Sequence, residues 1–136
     1  MNCQLFLGVI VKSMGRSILE VPRSAELFED LEHTQFVEDL SESQTGDIIF
    51  LTDDSIESDP MWYHVGVVLV ASDGRRWIIH NASHNGFAVI EKLEEAMSNP
   101  IYARIAGIKR AISTHPDGPD HVFLEEHGLS VLIQTQ

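Results

Sequence analysis

The chain has 136 residues, 43% of them hydrophobic, which is sufficient for one globular domain with one core. Its formal charge of −12, from 21 acidic and 9 basic residues, argues against a nucleic-acid or anionic-membrane partner, because such partners are bound largely through lysine and arginine. A single cysteine excludes an internal disulfide and a multi-cysteine zinc site.

The first part of the chain is predicted to be helical. Residues 2–15 place apolar side chains around most of a helical surface, which indicates a buried helix that ends at Gly15. The apolar stretch 5–11 lacks the flanking features of a signal peptide, so the chain as given shows no export signal. A second, more exposed helix is predicted for residues 22–33, which begin with proline and serine and continue with acidic residues.

The middle of the chain is predicted to form an antiparallel sheet. Five segments are rich in valine, isoleucine and aromatic residues, as strands are. They are residues 46–52, 62–71, 75–82, 86–91 and 101–112. Asp73 and Gly74 separate the second segment from the third and predict a hairpin turn. A polar connection is expected at 39–46 and a short helix at 91–97.

Helices followed by strands with short connections are typical of an α+β domain with an antiparallel sheet. Residues 1–112 are expected to form this domain. Residues 113–136 begin with turn-forming residues and end in a small apolar segment, so they are expected to be a C-terminal appendage of the same domain.

Cys3 lies at the beginning of the first predicted helix. The free N–H groups and the dipole at a helix N-terminus stabilise a thiolate, and with a neighbouring cation they lower a cysteine pKa to roughly 3.5–7.5. The same N–H groups can stabilise an oxyanion. Cys3 is therefore a candidate nucleophile, and the alternative is that it is one more small core residue.

Two histidines lie in the predicted hairpin, His64 at the start of its first strand and His80 near the end of its second. Because the strands of a hairpin are antiparallel, these two positions are expected at the same end and close together. One histidine can then act as a base while the other fixes its ring orientation and tautomer. The two histidines and the cysteine predict the nucleophile, base and orienting residue of a thiol hydrolase.

The order of these motifs resembles the NlpC/P60 family of cysteine peptidases. In that family a cysteine begins a buried helix, Gly-Asp opens the first strand, and His-Val-Gly opens the second strand. A histidine, asparagine or glutamine on the next strand completes the triad. Here the matching segments are "NCQLF", "TGDIIFL", "HVGVVL" and "WIIHNA", and the resemblance covers residues 2–112.

The resemblance implies a papain-like domain in which the helix bearing Cys3 packs on an antiparallel sheet of four to six strands. It assigns Cys3 as nucleophile, His64 as base and His80 as orienting residue. The implied reaction is hydrolysis of an amide bond in bacterial cell-wall peptide, with no metal or organic cofactor. The implied partner is a peptidoglycan stem peptide or another small peptide.

Substrate contacts are expected from Tyr63, Gln4 and His84, because they neighbour the triad residues in sequence. A zinc site at His80 and His84 is not expected, because their four-residue spacing suits a helix and this segment is predicted to be strand and turn. The location stays open between the cytoplasm and delivery to the cell wall by a phage or a secretion system.

The chain departs from the family pattern around the cysteine. Asn2 stands where the family has aspartate, and Gln4 and Leu5 stand where it has serine and glycine. The chain is also short before the cysteine. These departures keep two alternatives open, namely an inactive binding or assembly module and a related amidase or acyltransferase. A permuted arrangement, with histidines before the cysteine, does not fit this chain.

Overall fold

The computed structural model describes residues 14–17, 24–54, 59–60, 63–82, 87–119, 122 and 125. The strands are β1 (Met14–Ser17), β2 (Thr34–Val37), β3 (Ile48–Thr52), β4 (His64–Val70), β5 (Arg76–Ala82), β6 (Phe87–Lys92), β7 (Arg104–Ala111) and β8 (Ser113–Pro119). The helices are α1 (Ser24–Glu29) and α2 (Leu93–Met97), with single 3₁₀ turns at Leu40–Glu42 and Pro100–Tyr102.

Six strands form one antiparallel sheet in the order β2-β7-β3-β4-β5-β6, and β1 pairs with β8 in a separate two-stranded sheet. The α+β class is therefore confirmed. The five predicted strands are all present as β3 to β7, and the turn between β4 and β5 contains Gly74 with a φ of 86°.

Two expectations about local structure were wrong, and one strand was missed. Met14–Ser17 is a strand where the last two residues of a helix ending at Gly15 were expected, and the rest of that predicted helix, residues 2–13, lies outside the described residues. Ser113–Pro119 is a strand where turn residues were expected. These two segments pair with each other, so a long-range ladder outweighs local preference. The strand Thr34–Val37 was not predicted. Its pairing partner is β7, which is distant in sequence, so no local signal marks it. The polar connection expected at residues 39–46 is present and contains the 3₁₀ turn Leu40–Glu42.

Helix α1 is shorter than predicted because of Asp30. The Asp30 side chain accepts hydrogen bonds from the backbone N–H groups of Glu32 (3.0 Å) and His33 (3.2 Å). An aspartate that bonds the backbone two and three residues ahead offers those N–H groups an alternative to the helix ladder. The helix consequently ends at Glu29.

One face of the large sheet carries a core that includes α2 and the second 3₁₀ turn. Its buried members are Ile49, Leu51, Val68, Ile78, Leu93, Ala96, Tyr102 and Ile108. They alternate along the strands with residues of the opposite face, as the pleat requires. This face also carries the two histidines, so the candidate site lies at the margin of a packed core.

The opposite face holds α1 through aromatic contacts. The ring of Phe28 lies 5.3 Å from that of Phe36 and 5.1 Å from that of Phe50, both in edge-to-face geometry. A Cβ atom at Gly107 would lie 2.8 Å from the Phe28 ring, so a larger residue there would displace the ring. None of the helices in the described part of the chain is long and apolar enough to cross a membrane.

The Gly-Asp pair before β3 has a structural role. Asp47 is buried and receives two hydrogen bonds from the Arg110 guanidinium, at 2.9 and 2.8 Å, and one from the backbone N–H of Gln44 at 2.7 Å. A bidentate arginine–carboxylate pair of this kind is among the stronger ion pairs in proteins. It joins the start of β3 to β7 and thereby fixes the strand beside His64.

Candidate active site

The β4–β5 hairpin brings the two predicted histidines together. His80 lies directly opposite Gly66, and His64 lies two residues before Gly66 on the same face of the sheet. The pair is therefore diagonal, a separation that long side chains can bridge. Nε2 of His64 is 2.7 Å from Nδ1 of His80, which is a short hydrogen bond.

Gly66 allows a close contact between β4 and the side chain of Ile78 on β5. A Cβ atom there would lie 2.6 Å from Cδ1 of Ile78 and 3.0 Å from the carbonyl oxygen of Ile79. The glycine of the His-Val-Gly motif therefore has a packing reason that is independent of any reaction. It leaves room for the side chain of Ile78, which packs over Gly66 from β5.

Glu91 extends the pair to a third strand. In the β5–β6 register Glu91 is opposite Ile78, so it is again diagonal to His80. Its Oε2 atom lies 2.8 Å from Nε2 of His80. We did not predict Glu91, although a carboxylate in the apolar run "FAVIE", paired with the strand that carries His80, was a usable signal.

Tyr102 is a second residue that sequence reasoning missed. Its ring stacks on the imidazole of His64, with the centroids 4.2 Å apart and the planes inclined by 25°. The 3₁₀ turn Pro100–Tyr102 presents Tyr102 and is capped by Asn99, whose side chain accepts a hydrogen bond from the N–H of Ile101. The stacked ring holds the plane of the imidazole and removes part of it from water.

The environment keeps His64 neutral at physiological pH. Burial of the imidazole, and secondly the charge of His80, lower the pKa of His64 from 6.5 to about 4. His80 itself is almost completely buried, at 1% exposure, with both ring nitrogens hydrogen-bonded. A neutral imidazole can accept a proton, so His64 has the protonation state that a general base needs.

The hydrogen bonds restrict where the protons can lie when His80 is neutral. A carboxylate only accepts, so with Glu91 ionised the Nε2 atom of His80 carries a proton and donates it. A neutral His80 then has a lone pair on Nδ1, and Nε2 of His64 must donate to it. In that tautomer the lone pair of a neutral His64 is on Nδ1, the ring nitrogen that does not contact His80.

The other predicted site residues are placed as follows. Cys3, Gln4 and His84 lie outside the described residues. The Tyr63 ring packs against Phe28 at 5.1 Å, on the sheet face opposite His64, so its placement does not support a substrate contact beside the pair. Among the described residues no group of three or more histidine, cysteine, aspartate and glutamate side chains is arranged to hold a metal ion.

The low pKa of His64 predicts a pH dependence of stability. Between pH 6.5 and about 4 the unfolded chain binds a proton at residue 64 and the folded chain does not, so the free energy of unfolding falls as the pH falls. The full loss is about 3 kcal/mol and is complete below about pH 4. Urea unfolding at several pH values measures it.

His64→Gln is expected to remove this contribution, because glutamine does not titrate. The matched control is His33→Gln, which replaces a more exposed histidine that is paired with Asp30. If the wild type and His64→Gln lose the same free energy between pH 6.5 and pH 4, the assignment of the low pKa to His64 is wrong.

Comparison of the chain with protein-family models and with curated proteins gave no match. The functional interpretation therefore rests on the geometry around His64 and on the order of the motifs in the sequence.

Proposed function

We propose that the protein is a thiol hydrolase in which Cys3 attacks an amide carbonyl and His64 transfers the proton. The observation that carries the proposal is the 2.7 Å hydrogen bond between Nε2 of His64 and Nδ1 of His80. It gives a neutral histidine a fixed orientation and leaves Nδ1 as its basic atom. The resemblance to NlpC/P60 peptidases adds the papain-like arrangement of the cysteine helix and the sheet to the proposal.

The reaction proceeds in two halves. In the first half, Nδ1 of His64 takes the proton of the Cys3 thiol as the sulfur attacks the carbonyl carbon. The imidazolium then gives this proton to the leaving nitrogen, the C–N bond breaks, and a thioester remains. In the second half, Nδ1 takes a proton from water, the hydroxide attacks the thioester, and the proton returns to the sulfur as the acid leaves.

The low pKa of His64 disfavours a resting thiolate–imidazolium pair. The proton is instead transferred from Cys3 to His64 while the sulfur attacks. Moving a proton from a thiol with an ordinary pKa of about 8.5 to an imidazole with a pKa of about 4 costs roughly 6 kcal/mol before the two charges attract each other. The resting site is therefore a thiol beside a neutral imidazole. Its hydrogen bond to His80 keeps the ring in one orientation while the imidazolium forms transiently.

The substrate class follows from the resemblance. We propose an amide bond in a bacterial cell-wall stem peptide, with another small peptide as the broader class. The chain charge of −12 disfavours polyanionic substrates and is compatible with a small peptide that diffuses to the site.

The decisive experiment is product analysis with the purified chain. Synthetic stem peptides and muropeptides are incubated with the wild type and with Cys3→Ala, and the products are identified by mass spectrometry. We expect a new carboxylic acid and amine with the wild type and none with Cys3→Ala. Addition of an acceptor amine distinguishes hydrolysis from acyl transfer, because a transferase forms the new amide.

Two results would contradict the proposal. Hydrolysis that Cys3→Ala does not alter would show that the cysteine is not the nucleophile. Stem-peptide binding without any turnover, equal in the wild type and in Cys3→Ala, would establish the inactive binding module instead.

A further inference from the structure

Glu91 contacts His80 on the side of the histidine pair that is away from His64. Its carboxylate is about one-third exposed, at 30%, whereas the imidazole that it contacts is 1% exposed. The contact is 2.8 Å between Oε2 of Glu91 and Nε2 of His80. The three side chains therefore form a hydrogen-bonded series across the neighbouring strands β4, β5 and β6.

Each member of the series restricts the next one. Glu91 requires a donor at Nε2 of His80, and a neutral His80 then requires a donor at Nε2 of His64. Without an acceptor at residue 91, both tautomers of His80 become accessible. Nδ1 of His80 can then donate to Nε2 of His64, which would place the proton of His64 on Nδ1, where the base is needed.

We propose that Glu91 is a positioning residue that fixes the tautomer of His64 through His80. Its negative charge also lies at the end of the series that becomes positive when His64 accepts a proton. The catalytic consequence rests on the proposed function, whereas the tautomer assignment concerns the hydrogen bonds alone.

Nuclear magnetic resonance of ¹⁵N-histidine-labelled protein tests the tautomer directly. Spectra are recorded at about pH 8, where imidazoles of ordinary pKa are neutral. In the wild type we expect protons on Nε2 of both His64 and His80. In Glu91→Leu, which keeps the size of the side chain and removes the acceptor, we expect mixed tautomers at both histidines.

Kinetics provide the second measurement. Glu91→Leu is expected to lower kcat about 10- to 100-fold, which is less than the whole contribution of a general base. Glu91→Gln keeps an acceptor oxygen and removes the charge, so we expect the wild-type tautomers, a lower kcat and an unchanged KM. Glu95→Leu, at an exposed position in α2, is the matched control and should behave as the wild type.

The outcomes separate the two proposals. Wild-type tautomers that change in Glu91→Leu support the role of Glu91 even if no Cys3-dependent hydrolysis is found, in which case only the proposed function fails. A wild-type proton on Nδ1 of His64, or tautomers that Glu91→Leu leaves unchanged, would overturn the inference. If Glu91→Leu does not fold, unchanged kcat in Glu91→Gln would overturn the catalytic part.

Discussion

His64→Gln is expected to lower kcat/KM for Cys3-dependent hydrolysis by about 10²- to 10⁴-fold, the usual contribution of general acid–base catalysis. The glutamine amide can still donate a hydrogen bond to Nδ1 of His80, so the variant removes the basic nitrogen and keeps the contact. Steady-state kinetics on a stem peptide measure the loss. The control is His33→Gln, which alters a histidine paired with Asp30 and should leave kcat/KM unchanged.

The pH dependence of the same reaction is a further test of the assignment. Since the pKa of His64 is about 4, kcat/KM should stay level as the pH falls through 6.5 and should decline only near pH 4. Circular dichroism at each pH shows whether the chain is still folded. A decline centred near 6.5, or a His64→Gln variant with wild-type kinetics, would exclude His64 as this base.

Lys109→Met is expected to lower the free energy of unfolding by roughly 3 kcal/mol, the cost of leaving buried acceptors without a charged donor. Lys109 is fully buried, and its Nζ donates to the carbonyl oxygens of Leu27 (3.0 Å), Phe28 (2.7 Å) and Asp30 (2.6 Å). It thus binds the C-terminal carbonyls of α1, where positive charge is also favoured by the helix dipole. Methionine fills a similar volume but cannot donate.

Urea unfolding at about pH 7 measures this effect. Lys92→Met is the matched control, because Lys92 is only partly buried on the edge strand β6, and its free energy of unfolding should change by less than about 0.5 kcal/mol. Equal stabilities of Lys109→Met and the wild type would show that the three carbonyls find other donors.

The strands around the site were predictable because their signals are local. The run "HVGVVLV", the turn at Gly74 and the run "RWIIHNA" are adjacent in sequence, so the closeness of His64 and His80 followed from strand pairing alone. The remaining strands depend on distant partners. Thr34–Val37 is polar at half of its positions and is a strand because it pairs with β7, more than 70 residues away in the chain.

The candidate site was predictable only where residue type and strand position coincide. A histidine in an apolar strand is conspicuous, whereas Glu91 and Tyr102 have ordinary surface and core interpretations until the register is known. The register decides that Glu91 reaches His80 and that the ring of Tyr63 lies on the opposite face. A one-residue change in pairing would reverse both results.

The strand order has a consequence for the sequence of folding events. Strands β4, β5 and β6 are successive neighbours joined by short connections, so their pairing closes small loops and carries a small entropic cost. Strands β2 and β3 lie on either side of β7 and become connected only when β7 is in place. Because long-range pairings of this kind form slowly, the meander that carries His64, His80 and Glu91 should assemble before the half of the sheet that holds α1.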